Sequence, residues 1–364
     1  MLQTVHYDEL AAYLPALAKQ EGFGDQLFEA GPLTVTLSVS PSCRDLEMGV
    51  ALRPNDQGNS ALISPVGSQP QVNLTVYILQ LPKGSIHKSL QPFLTDKKKT
   101  LQQLFSSEHT EQFVIRDDER QMLKVFDQKN GIGLLTFGER DLLPSWEFFS
   151  PIKEFIHLHA LNQSCLLLHA ASVVSPDWPD QGMLLVGPGG SGKSTLTAYA
   201  IEQGMFTNGD DYVLVDLRHD KSQCWSIYRT IKLHPSSPVL RGKNRWQTWR
   251  SDRLSGKSVM LADTVNRGGA LLPQAALSRI CGVSLKQSTA VHNPKAHSIL
   301  SDPYRHPYLH SCMSTIQQIP YRIGATLALS KQLHQSIPYS AHTIAPGIEG
   351  LQQALVALKK GLQT

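Results

Sequence analysis

The stretch Gly187-Pro188-Gly189-Gly190-Ser191-Gly192-Lys193-Ser194-Thr195 leaves this chain few folding options. It fits G-x-x-x-x-G-K-[ST], the pattern of a phosphate-binding loop. Such a loop needs a strand before it and a helix after it. Met183-Leu184-Leu185-Val186 is an apolar run of strand type; beyond the loop Leu196, Tyr199 and Ala200 recur at helical spacing, and Gly204 offers a stop. Glycines let backbone N–H groups curl around phosphate oxygens, and a helix N-terminus adds the positive end of its dipole. The pattern makes Gly187, Gly189, Gly190, Ser191, Gly192 and Thr195 the phosphate cradle. It sends Lys193 to the β- and γ-phosphates and gives the Ser194 hydroxyl to Mg²⁺. A glycine-rich turn that matches by chance is the alternative, and the flanking strand and helix weigh against it.

The 364 residues suffice for two domains. With 41% hydrophobic and 18% charged residues, the composition is that of an ordinary globular protein. Lys plus Arg number 34 against 30 Asp plus Glu, a balance too even to argue for nucleic acid. Cys43, Cys165, Cys224, Cys281 and Cys312 are scattered, with no C-x-x-C pair. They read as reduced thiols of a cytoplasmic protein rather than as a zinc site or a disulfide framework. The N-terminus lacks the basic start and apolar core of a signal peptide. No apolar run approaches the ~18–20 residues of a membrane span.

Residues 7–20 read as a short helix or two interrupted at Pro15, and Leu33–Val39 and Val72–Leu79 alternate as half-buried strands do. Arg53 to Pro70 reads as loop, and Lys97-Lys98-Lys99 as a solvated triplet. Phe113–Ile115 and Leu123–Phe126 flank a charged turn and suggest a hairpin, with Leu134–Phe137 as a further strand. Residues 1–143 thus form an α+β module with mainly antiparallel strands, and 144–364 the domain that carries the loop. In the second domain Ser150-Pro151 has the form of a helix start. Leu166–Val174 reads as one apolar strand containing His169, and pairs with the strand before the loop. Tyr212–Asp216 and Cys224–Tyr228 read as a hairpin, 286–311 as a polar loop, Ile337–Ile344 as a late strand and Glu349–Lys360 as a helix. The fold class is α/β with a mixed sheet.

Phosphoryl transfer needs a metal ligand, a group for the nucleophile's proton and cations for developing charge. Asp210 and Asp211 follow the first helix at the distance expected of a chain returning to the nucleotide. Neighbours on extended chain point opposite ways, so one acid faces the acceptor hydroxyl and the other the metal. A solvated Gly-Asp-Asp turn is the plain alternative. Asp216, at the end of an apolar strand, is a rival that reads better as a turn residue. The segment Arg241 to Lys257, with six cations and two tryptophans, reads as a solvated face or as a lid over the phosphates.

Leu168-His169-Ala170, Met183–Thr195 and Gly209-Asp210-Asp211, in this order, resemble the HPr kinase/phosphorylase family. Its core is similar to the nucleotide-binding core of phosphoenolpyruvate carboxykinase. The resemblance implies that Asp210 is a general base toward a serine hydroxyl, that Asp211 lies by the metal and that His169 lies near the phosphates. Arg229 and Lys232 stand where that family has its Arg-containing signature, which has no clear match here. His169 is followed by Ala170, where those kinases carry glycine. The expected protein is an ATP-dependent kinase using Mg²⁺, with GTP left open. Lys193, Asp210, His169 and Arg229 are its catalytic residues, Ser194 and Asp211 its metal side. The acceptor is a Ser or Thr of a peptide or protein, or a small-molecule hydroxyl, with residues 1–143 selecting it. An ATPase or switch without an acceptor is the competing class. Neither nucleic acid nor membrane is expected as a partner, and homo-oligomerisation is left open.

Overall fold

The computed structural model describes residues 10–53, 72–82, 112–241, 246–267, 269–286 and 306–362. The Lys97–Lys99 triplet, and the loop read into 54–70, lie outside them. The chain divides into two compact units: Met1–Gln163 with Tyr321–Ile323, and Ser164–Pro320 with Gly324–Thr364. Both are mixed α/β. No described helix is long and apolar enough to cross a membrane.

The first unit opens with helix α1 (Leu10–Glu21), a single helix with Pro15 inside it. The strands are β1 (Gly24–Ala30), β2 (Leu33–Val39), β3 (Val72–Gln80), β4 (Gln112–Asp117), β5 (Met122–Asp127) and β6 (Ile132–Phe137), in spatial order β1-β2-β3-β6-β5-β4. The β1–β2, β4–β5 and β5–β6 pairings are antiparallel, as the alternating runs predict, while β2–β3 and β3–β6 are parallel. Leu10 and Leu14 of α1 pack on Tyr77, Leu123, Val125 and Leu134. Every residue of β5 is buried, Lys124 included. Helix α2 (Lys153–Leu161) belongs to this unit, its Phe155 ring 5.7 Å from that of Phe126. Ser150-Pro151 does not start it: Ile152 adopts the left-handed conformation (φ 53°) and the helix begins one residue later. Its nine residues are all buried, so packing rather than a cap fixes its start.

The second unit is built on β7 (Cys165–Leu168), β8 (Ala171–Ser175), β9 (Trp178–Val186), β10 (Val213–Asp216), β11 (Gln223–Ser226) and, beyond the small sheet described next, the twelve-residue β15 (Gln274–Leu285) and β16 (Tyr339–Ile344). A separate three-stranded sheet holds β12 (Thr230–Leu233), β14 (Ser258–Leu261) and β13 (Thr248–Ser251) in that spatial order. The large sheet runs β7-β10-β11-β15-β9-β8, with β16 also on β15. The β8–β9 and β10–β11 pairs are antiparallel, as expected, whereas β9 and β16 run parallel to β15. Met183 to Val186 are fully buried, which is why they read as an unbroken apolar run. Helices α3 (Lys193–Glu202) and α6 (Gly347–Gly361) share one core with β9 and β15: Leu196, Ala200, Leu351 and Leu358 meet Met183, Leu185 and Val283. Helix α4 (Pro307–Gln318) packs against β7 and β15, and α5 (Ile323–Ser336) follows it.

Two expectations change here. Leu166–Val174 is not one strand: it breaks at His169-Ala170, and its halves lie at opposite ends of the sheet path. The described end of the presumed 286–311 loop, from Pro307, is helix, with Pro307 in its first turn, where a missing N–H costs nothing.

Candidate functional site

The loop from Gly187 to Gly192 joins β9 to α3, and the chain enters the helix at Lys193. Gly187 (φ 155°) and Gly190 (φ 80°) hold backbone angles that side chains resist. A Cβ on Gly187 would stand 2.5 Å from the Val283 carbonyl oxygen, so β15 presses on the loop from behind. A Cβ on Gly189 or Gly190 would meet nothing within 4 Å, so that face of the loop is open. The first N–H groups of α3 have no partners within the helix and point toward this opening. The buried Lys193 folds back, its Nζ donating to Gly187 O (2.8 Å) and Pro188 O (3.2 Å). Burial draws its pKa down to about 8, against the pull of Asp210 and Asp211.

The acids reach the loop because the segment after α3 is pinned. Asn208 N donates to Ser172 Oγ at 2.7 Å, Asn208 Nδ2 to Leu272 O at 3.1 Å, and Gly209 O accepts from Ser172 N at 3.0 Å. Asp210 is then buried at 2% exposure, and accepts a hydrogen bond from the Ser194 hydroxyl. Its Oδ2 faces Lys232 N at 3.4 Å, while its Oδ1 is buried without a hydrogen-bond partner. Burial, reinforced by the charge of Asp211, raises its pKa to about 6.

Asp211 sits differently. Its Oδ2 is 2.7 Å from Lys232 Nζ and its Oδ1 is 3.3 Å from His169 Nε2. Burial opposes its charge, but Lys232 and His169 outweigh it and hold the carboxyl well below the usual range. Both oxygens are paired, and Asp211 anchors a charge network. His169 Nδ1 meets Ser314 Oγ at 2.5 Å and Gln318 Nε2 at 2.7 Å, and Tyr212 Oη donates to Gln318 Oε1 at 2.6 Å. Burial lowers the His169 pKa. A neutral ring donating Nε2–H to Asp211 satisfies these contacts.

Asp211, His169, Gln318 and the loop border one cavity of about 490 Å³. One part of its wall is His169, Gly189 to Thr195, Asp211 and Lys232. Another is apolar, from Leu285, Ile344 to Gly347 and Leu351. A third is Asp252, Ser255 and Lys257. Arg229 is not in the wall. It is 2.8 Å from Asp263, immediately ahead of β12; Lys232, three residues on, is the cation that reaches the acids. Asp216 pairs with Arg218 at 2.7 Å and His219 at 3.5 Å, in keeping with a turn residue. The sequence pattern gave no role to Gln318, Ser314 or Tyr212, since nothing local marks a residue brought to the site by tertiary packing.

The residues suit a phosphate ester with Mg²⁺. The open glycine face, with Ser191, Lys193 and Ser194 in the cavity wall, is the polar surface that such a ligand needs, and Asp210 and Ser191 each bury an oxygen without a hydrogen-bond partner. Among the described residues no three His, Cys, Asp or Glu gather as a metal cage. Mg²⁺ needs none, since it takes one or two protein oxygens and fills its shell with phosphate and water.

No family model and no curated protein matches the chain. Among solved structures, the Hpr(Ser) kinase/phosphatase from Coxiella burnetii is similar to it at 17% identity and a TM-score of 0.22, over 35% of this chain and 71% of that one. A likeness of that size does not establish a shared fold.

Proposed function

We propose that this protein is an ATP-dependent kinase that transfers the γ-phosphoryl group to a hydroxyl, that of Ser or Thr in a peptide or protein. One observation carries the reading: a buried carboxylate with an unpartnered oxygen, Asp210, touches the hydroxyl of Ser194 at the start of the helix that the glycine loop feeds. A turn that matched the pattern by chance would have no cause to bury an acid there. The resemblance to the HPr kinase/phosphorylase family in Leu168–Ala170, Met183–Thr195 and Gly209–Asp211 agrees with it. In this reading the core is of that family's phosphoenolpyruvate-carboxykinase-like kind.

The loop amides and Lys193 hold the β- and γ-phosphates. Mg²⁺, when bound, neutralises the phosphate oxygens, and the Ser194 hydroxyl is its protein ligand. The acceptor O–H proton passes to Asp210 Oδ1 as the new O–Pγ bond forms and the bond from Pγ to the bridging oxygen breaks, releasing ADP. A carboxyl raised to about 6 is still mostly ionised at pH 7, yet more basic than an ordinary aspartate. Asp211 stays ionised between Lys232 and His169 and keeps that wall in place. The first unit is assigned the selection of acceptor.

The test is incubation of the full chain with γ-labelled ATP, Mg²⁺ and fractions of a lysate from its source, with Lys193→Ala and Asp210→Asn as controls. Label on a protein or peptide, lost with both variants, is the expected result. Label that persists with Asp210→Asn would end the base assignment, and no transfer with any fraction would end the kinase reading.

A further inference from the structure

We infer that Lys257 is the cation that meets the transferring phosphoryl group, and that the β13–β14 hairpin delivers it. The inference rests on the kinase reading and deepens it.

Four cations in or beside the site are candidates, and three are committed. Lys193 is bonded to its own loop at 2.8 and 3.2 Å. Arg229 is held by Asp263 at 2.8 Å. Lys232 is held by Asp211 at 2.7 Å. Lys257 lines the same cavity, and no described carboxylate or hydrogen-bond acceptor pairs with its ammonium. It lies close enough to Lys193 to weaken that residue's positive charge.

The backbone beneath it is fixed. Asp252 N donates to Lys257 O and Gly256 N to Asp252 O, each at 2.8 Å, closing a tight turn. Asp252 Oδ1 and Oδ2 accept from Leu254 N at 3.1 Å and Ser255 Oγ at 2.6 Å. The turn thus engages both oxygens of the Asp252 carboxylate in its own hydrogen bonds. Register does the rest. Ser258 of β14 pairs with Leu233 of β12, so Lys257 comes next to the strand end that carries Lys232. Lys232 N in turn faces Asp210 Oδ2. Lys257 therefore stands on the side of the cavity that Lys232 forms, the strand end whose backbone faces the proposed base, and we place the γ-phosphoryl group there as it leaves ADP.

Bringing a third ammonium to a wall that already has two is repulsive. A polyanion removes that repulsion, and a cation free of a carboxylate has no ion pair to break when the polyanion arrives. The contact is to the terminal phosphate, so it distinguishes a triphosphate from a diphosphate.

Calorimetric titration of the full chain with Mg²⁺ and either the non-hydrolysable triphosphate AMP-PNP or ADP reads this out without knowledge of the acceptor. Lys257→Met is expected to weaken AMP-PNP about tenfold, the scale of one charge-assisted contact, and ADP less than about twofold. Lys257→Arg should keep most of the AMP-PNP affinity. Equal weakening of both nucleotides, or of neither, overturns the assignment of Lys257 while leaving the kinase reading intact. Wild-type protein that binds neither nucleotide overturns the kinase reading and this inference with it. Matching melting curves of variant and wild type exclude misfolding as the cause.

Discussion

Lys232 Nζ lies 2.7 Å from Asp211 Oδ2, and the other oxygen of that carboxylate faces His169 Nε2 at 3.3 Å. One acid thereby ties β12 to the break between β7 and β8. The acid that precedes it in sequence keeps an oxygen free. Adjacent aspartates thus have different tasks, one structural and one with an oxygen left over, because the bend at 210 and 211, ahead of β10, turns them to different neighbours.

Removing Lys232 strands a buried charge. Lys232→Met is expected to destabilise the protein by about 3 kcal/mol at pH 7, the usual cost of breaking a buried pair from one side. Burial opposes both charges, but Lys232 holds the Asp211 pKa well below normal and Asp211 raises that of Lys232. In the wild type the Asp211 contribution is present above the unfolded carboxylate pKa and fades as pH falls through the folded one. The variant lacks it, so its deficit should shrink on acidification. Urea melts across pH, with Asp211→Asn/Lys232→Met recovering most of the loss, check this. A deficit that does not change with pH would refute it.

Asp210 trades stability for chemistry. Burial and Asp211 raise its pKa to about 6, so the folded state binds its proton more tightly than the unfolded chain does. Its cost to stability appears as pH rises from the unfolded value through 6. Asp210→Asn should therefore stabilise the protein at pH 7 by about 2–3 kcal/mol, with no gain in acid. The same variant should lose about 10²–10⁴-fold in transfer rate. The wild-type pH–rate profile should rise through about pH 6, an acid limb set by this carboxyl. Thermal melts and a pH–rate series measure both effects; a variant that is less stable and still active contradicts both assignments.

The glycines separate folding from binding. A side chain at Gly190 meets open space, so Gly190→Ala should cost only the left-handed backbone penalty, about 1–2 kcal/mol, and fold. It should still lose nucleotide affinity, because the added methyl occupies the face where phosphate oxygens approach the amides. Gly187→Ala instead drives a Cβ against the Val283 carbonyl, 2.5 Å away, and should disturb the β9–β15 pairing itself. Melting temperature and ADP titration on the pair of variants distinguish the two costs.

Much of this was legible where a local pattern has one cause. The loop between strand and helix, the β10–β11 hairpin and the β4–β5 hairpin each follow from apolar periodicity broken by turn residues. The pattern by itself gives the acids at 210 and 211 two tasks without saying which takes which, since the difference in their surroundings lies in Lys232, twenty-one residues beyond Asp211, and in His169. The break at His169-Ala170 left no mark, because nothing in Leu166–Val174 breaks a strand; the chain leaves one edge of the sheet for the other under tertiary control. Arg229 reads as a cation for the transferring group, and nothing near it in the sequence announces its pairing with Asp263.

Lys124 is the same lesson in the first unit. Leu123-Lys124-Val125-Phe126 reads as one arm of a hairpin, which says nothing of where its lysine goes, and Lys124 is 1% exposed. Its Nζ is 2.6 Å from Glu147 Oε1 and 2.5 Å from Glu154 Oε2, so one cation serves two acids. Burial opposes all three charges. Glu147, at 0% exposure and with Oε2 unpartnered, is raised by burial, while the cations hold Glu154 below normal. Lys124→Met would leave two carboxylates in an apolar interior and should cost about 3–5 kcal/mol. Because the Glu154 contribution is present above its unfolded pKa and lost as pH falls through the folded one, the deficit should be largest near neutrality. The triple variant Lys124→Met/Glu147→Gln/Glu154→Gln removes the charges together and should regain most of the stability. A single variant as stable as wild type at pH 7 would show that the triad carries no net interaction.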